Sequence, residues 1–109
     1  MRIIIGGAGR VGTELARALR AEEMDVVLVD SDSRAVKNAQ NLDVLVIHGD
    51  LTTREKLNEA GIGEAEIFVA ATNSDERNLL ACALAEHAHY QYAGPKAKPL
   101  LCLLYTSDA

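Results

Sequence analysis

Gly7-Ala8-Gly9-Arg10-Val11-Gly12 reads GxGxxG, one residue after the apolar run Ile3-Ile4-Ile5. Glycines at this spacing, between a strand and a helix, suit the capture of a pyrophosphate. Gly7 permits the tight turn, Gly9 lets backbone N–H groups approach the anion, and Gly12 lets the helix pack close to the strand. A helix N-terminus adds partial positive charge and unpaired N–H donors. Alone the string is weak. It gains weight from its place at the start of a strand–turn–helix unit.

The second candidate is Asp30, which ends the run Asp25-Val26-Val27-Leu28-Val29-Asp30, 18 residues after Gly12. A carboxylate there can accept from both hydroxyls of an adenosine ribose. The same charge repels a 2′-phosphate, which favours NAD over NADP. Ser31 and Asp32 follow, with turn chemistry as the alternative to ribose contact. Asp50 ends a third apolar run. It either accepts from an adenine amino group, with Leu51 as an apolar platform for the ring, or caps the next helix. Thr72 and Asn73 end a fourth. Thr72 is a candidate for the site and Asn73 for a helix cap. Arg10 either reaches a phosphate or is a solvated surface arginine.

These residues need a framework, and the apolar pattern supplies one. Strands are expected at 3–5, 25–30, 44–47 and 67–71. Helices are expected from Arg10 to Glu22, from Ser33 to Gln40, after a Thr52–Glu55 capping box, and from Asp75 to His89 behind Asn73. In the first helix Val11, Leu15, Ala18 and Leu19 share a face. In the last, Leu79, Leu80, Ala83, Leu84 and His87 are in register. Such apolar strands are buried on both faces. Right-handed crossovers then give a doubly wound parallel sheet of order 3-2-1-4, a three-layer α/β Rossmann-type fold, with a fifth strand if residues 100–104 join.

Composition narrows the function classes. Eleven basic residues against 16 acidic give a net charge of −5. That argues against nucleic acid and against docking on anionic lipid. No apolar run has the length of a membrane span. Cys82 and Cys102 form no CxxC pair and are expected as free buried thiols in a reducing cytoplasm. His48, His87 and His89 form no ligand set, so no metal is expected. No nucleophile–base pair or substrate-binding region accompanies the glycine loop, so catalysis is not expected.

The segments Ile5 to Gly12, Val29-Asp30, His48 to Thr52, Leu57 to Ile62 and Ala70 to Asn78 together resemble the TrkA N-terminal domain. This is the RCK (regulator of potassium conductance) domain of potassium channels and Trk/Ktr transporters. The resemblance covers residues 2 to about 87. It implies a cytoplasmic regulatory subunit of a potassium uptake system, held at the inner face of the membrane by its transporter partner. It further implies dimers assembling into a ring that binds NAD(H) or ATP/ADP. Ligand contacts carry over to Gly7, Gly9, Arg10, Gly12, Asp30, Asp50 and Thr72; Ala8, Val11, Ser31 and Leu51 complete the candidate set. The alternatives are the cofactor half of a truncated NAD-dependent oxidoreductase, or a structural module with a vestigial loop. The expected domain is residues 1–89. Residues 90–109 depart from the family pattern, and Cys102 to Ala109 reads like foreign or out-of-frame sequence on a truncated fragment.

Overall fold

β-Branched runs without a polar face belong inside a sheet covered on both sides, and the runs at 3–5, 26–29 and 67–70 lie there, whereas the run at 45–48 is an edge strand with Leu45 and His48 exposed. The computed structural model describes residues 1–105. Strands β1 (Arg2–Gly6), β2 (Asp25–Asp30), β3 (Leu45–His48), β4 (Ala65–Ala70) and β5 (Leu101–Leu104) alternate with helices α1 (Arg10–Ala21), α2 (Ser33–Asn38), α3 (Arg54–Glu59) and α4 (Asp75–Ala93). A 3-10 turn at Ile62–Glu64 precedes β4.

The strands form one sheet of order β3-β2-β1-β4-β5. All pairings are parallel, with Ile4 opposite Val27 and Phe68, and Val29 opposite Ile47. This is the expected doubly wound Rossmann-type sheet, and residues 101–104 do supply its fifth strand. Alternate residues of the central strands divide between two cores. Ile4, Val27 and Val29 pack with Leu57, Phe68 and Ala85 on one face. Ile3, Ile5, Val26 and Leu28 pack with Ala16 on the other. Period-two side-chain alternation puts every second residue on each face, so a strand covered twice has no position for a polar side chain.

Several local expectations shift by a residue. The cap of α2 is Asp32, whose carboxylate accepts from the Arg34 N–H, rather than Ser33. The cap of α3 is Thr53, accepting from Lys56, because the Thr52 hydroxyl is committed to Asp50. The cap of α4 is Ser74, accepting from Arg77, rather than Asn73. In α1 the sheet-facing residues include Gly12 and Ala16, whereas Ala18 is exposed.

The largest correction concerns α4. It buries Asn78, Ala81, Cys82, Ala85, Ala88 and His89. The expected inward residues Leu79, Leu80, Ala83 and His87 are exposed. Small side chains let α4 lie close to the sheet, and Asn78 fixes its rotation through hydrogen bonds to the end of β4. The helix also continues through Tyr90-Gln91-Tyr92-Ala93, four residues beyond the expected end at His89. Cys82 and Cys102 are not free thiols. α4 crosses β5 with their Cα atoms 5.9 Å apart, within the range a disulfide spans, and the sulfurs are bonded. Of the tail expected to be foreign, Thr106 to Ala109 lies outside the described residues.

Candidate functional site: a cleft at the strand ends

The sheet reverses its winding between β1 and β4. Connections from β1 run outward through β2 to β3, and those from β4 run the other way to β5. At such a switch point the loops leaving adjacent strands part and open a crevice at the C-terminal strand ends. A cleft of about 350 Å³ lies there. Gly7, Gly9, Asp30, Ser31, Leu51 and Thr72 line it, joined by Asp32, Ala35, Ala71, Asn73 and Arg77. The structure thus gathers most of the sequence candidates into one place.

Its floor is the glycine loop. The Gly7 N–H donates to the Val29 carbonyl (2.8 Å) and the Ala71 N–H to the Gly6 carbonyl (2.8 Å), pinning the strand ends together. Gly7 has φ +121°, and a Cβ there would lie 2.6 Å from the Ala71 carbonyl oxygen. At Gly12 a Cβ would collide with the Gly7 carbonyl. These two glycines are demanded by the fold. Gly9 is different. Its φ of −81° and ψ of −158° suit any residue, and nothing lies within 4 Å of where its Cβ would be.

Gly9 is also the N-cap of α1, and no side chain caps that helix. The N–H groups of a first helical turn have no intrahelical partners. The other helices meet that need with Asp32, Thr53 and Ser74. At α1 the donors remain for another acceptor. The side chains of Ala8 and Val11 turn into the core instead, so their part in any site is through the backbone.

Asp30 forms the rim. Its carboxylate accepts from the Ala8 N–H (2.7 Å) and from the Asp32 N–H (2.9 Å). It therefore ties the glycine loop to the end of β2, and is not the cap of α2. A carboxylate has about four lone-pair sites, so both oxygens retain acceptor capacity. Ser31 is held by its carbonyl, which accepts from His48 Nε2 at 3.0 Å. That gives His48 a structural position.

Asp50 lies behind the cleft, at the end of β3. Its Oδ1 accepts from the Thr52 N–H (2.9 Å), the Thr52 hydroxyl (2.7 Å) and Arg77 Nη2 (3.3 Å). The Thr52 hydroxyl, then the Thr52 N–H, hold this carboxyl below its ordinary range, with the Arg77 guanidinium adding to them. Leu51 is buried against Gly6 and still presents a surface to the cleft.

On the β4 side, Thr72 is anchored by Asn78. The Thr72 N–H donates to Asn78 Oδ1 (2.9 Å), and the Thr72 hydroxyl meets the same oxygen. Asn78 Nδ2 donates to the carbonyls of Thr72 (3.2 Å) and Tyr105 (2.9 Å). Asn78 is 1% exposed, so this amide satisfies the loop from inside. Arg10 stands apart. It lines a second groove between α1 and α2, with Arg17 and Arg34, which adjoins the cleft at Gly9, Asp32 and Ala35. Sequence reasoning assigned no role to Arg77 or Asn78. A DxxN spacing at a helix start is the signal that could have drawn attention to Asn78. Arg77 had none, because its approach to Asp50 depends on how α4 packs against α3, which follows Asp50 in the chain.

No group of three or more His, Cys, Asp or Glu able to hold a metal ion occurs among the described residues. No helix among them is long and apolar enough to cross a membrane.

Comparison with known proteins matches the sequence to a family. The model of the TrkA-N domain aligns with residues 3–95. A Trk system potassium uptake protein TrkA homolog of Methanothermobacter thermautotrophicus is 43% identical over 97 residues, covering 88% of this chain and 43% of that protein. The Trk system potassium uptake protein TrkA of Haemophilus influenzae is 43% identical over 83 residues, covering 75% of this chain and 18% of that protein. The chain thus spans less than half the length of these relatives. Among solved structures, the TrkA-N domain of an Escherichia coli inner membrane protein superposes with a TM-score of 0.78. It is 17% identical, with 96% of this chain and 72% of that chain covered. An NAD(P)-binding domain from Archaeoglobus fulgidus gives 0.72 at 17% identity, covering 94% and 86%. At these identities the structural likeness speaks for the fold.

Proposed function

The chain belongs to the TrkA-N domain family, and from that premise we propose that it is the nucleotide-sensing part of a regulatory subunit controlling potassium uptake through a membrane Trk/Ktr-type transporter. Its ligand is an adenine nucleotide, NAD(H) or ATP/ADP, and its role is regulatory rather than catalytic. The pyrophosphate lies on the backbone of Gly7 and Gly9 at the N-terminus of α1. Asp30 accepts from the ribose hydroxyls, Leu51 supports the adenine ring, and Thr72 lines the far side. Copies of the subunit assemble into a ring at the inner face of the membrane, beneath the transporter. For the nucleotide to gate anything, it must bind one arrangement of that ring better than another.

One observation carries this reading. The fold requires glycine at positions 7 and 12 but not at 9, and Gly9 sits where α1 has no cap. A position that lacks a side chain although the fold leaves room for one, beside N–H donors that no side chain caps, suits the close approach of an anion.

Thermal melting tests it. A ligand binding only the native state at 100 times its Kd stabilises by about 2.7 kcal/mol. For a domain of this size that raises the midpoint by roughly 10 °C. NADH, ADP and ATP should each raise it, and NADPH less, since Asp30 opposes a 2′-phosphate. Gly9→Val should remove the shift. No shift with any adenosine phosphate would refute the assignment, and turnover of a hydroxy acid or aldehyde would point to an oxidoreductase instead. Co-purification of a transporter subunit with the full-length protein tests the partner.

A further inference from the structure

The walls of the cleft are electrostatically lopsided. Asp30 and Asp32 stand on the β2 side. Among the described residues lining it, Arg77 is the cation, and it stands on the β4 side, while Arg10, Arg17 and Arg34 line the adjoining groove between α1 and α2. Its present partner is easily exchanged. Arg77 Nη2 meets Asp50 Oδ1 at 3.3 Å, with the two side chains 46% and 47% exposed. Exposed ion pairs of this kind bind weakly. Asp50 does not depend on it, because Thr52 already donates to the same oxygen twice, at 2.9 and 2.7 Å. The N-terminus of α4 offers no anion site of its own. Ser74 caps it, and Asp75 and Glu76 occupy its first turn. Positive charge on this wall therefore comes from the Arg77 side chain.

The direction of the ligand follows from the reading above, on which this inference rests. With the ribose at Asp30 and the first phosphates over Gly7 and Gly9, the chain of the nucleotide runs toward Thr72 and Arg77. In ADP or ATP the group arriving there is a terminal phosphate, dianionic and rich in acceptors. In NAD(H) it is a sugar carrying nicotinamide. We propose that Arg77 is the specificity-determining residue of the cleft: it leaves Asp50 to pair with the terminal phosphate, so that the site favours adenosine di- and triphosphates over the dinucleotide. A guanidinium fork fits phosphate oxygens bidentately, which a lysine ammonium cannot.

Calorimetric titration of the full chain with AMP, ADP, ATP and NADH, at fixed salt and with EDTA present, tests this. The wild type should bind ATP and ADP about tenfold tighter than AMP or NADH, the scale of one charge-assisted hydrogen bond. Arg77→Gln should cost ATP and ADP about tenfold and AMP and NADH less than threefold. Arg77→Lys should recover part of the loss. The salt dependence of ATP binding should also flatten in Arg77→Gln. An unchanged ligand-free melting midpoint would show that the variant folds. Equal weakening of all four ligands, or no weakening of any, would overturn the assignment of Arg77 while leaving the cleft a nucleotide site. Failure of the wild type to bind any of the four would overturn both readings.

Discussion

Each glycine of the loop answers to a different demand, and substitutions should separate them. Gly12→Ala drives a methyl into the Gly7 carbonyl. Neither atom belongs to a flexible side chain, so the cost should reach at least the about 1–3 kcal/mol of overpacking. Urea denaturation would show it as a lower midpoint. Gly9→Val places its Cβ clear of the protein, so it should cost no more than the about 1 kcal/mol of a poorer helix cap while its ligand response disappears. Asp50 supplies a pH signature. Its folded pKa lies below the ordinary 3.8. A depressed carboxyl contributes stability that is complete above the unfolded pKa and is lost as pH falls through the folded one. Stability should therefore decline below about pH 3.8, and Asp50→Asn should reduce that part of the decline. A variant with the same acid limb as the wild type would show that Thr52 does not hold the charge. Of these residues, the glycines and Asp30 were legible in the sequence because a strand–turn–helix–strand unit puts them at a fixed spacing. Arg77 was not, since it meets Asp50 across 27 positions.

Among the elements, α4 shows where periodicity misleads. Counting apolar residues put Leu79 and Leu80 inward, yet they are 63% and 51% exposed. Two observations explain it. Alanines at 81, 85 and 88 allow a close approach to the sheet. Asn78, the buried amide, holds the Thr72 loop and thereby sets the rotation of the whole helix. Bulk at the buried face should hurt more than loss of bulk at the exposed one. Leu79→Ser should change stability by no more than about 0.5 kcal/mol, and Ala85→Leu should destabilise by about 1–3 kcal/mol. Asn78→Ala would strand the Thr72 N–H and should cost about 1–3 kcal/mol. Equal effects of the first two substitutions would mean the helix is rotated from the orientation described. The short strands were legible for the opposite reason. A run buried on both faces has no rotation to choose.

At the scale of the molecule, the winding reversal between β1 and β4 converts dispersed loops into one cleft. Residues from positions 7 to 77 of the chain meet there. The sequence by itself determined the alternation of strands and helices, the parallel sheet, the glycine loop and the acid at the end of β2. These follow from local spacing and from the steric rules that make crossovers right-handed. Only the tertiary structure decided which face of α4 is inside, that α1 alone among the α-helices described goes without a side-chain cap, that Cys82 reaches Cys102, and that an arginine stands opposite Asp30. Those outcomes depend on distances between elements far apart in the chain. Such distances are fixed by packing, which no window of neighbouring residues contains.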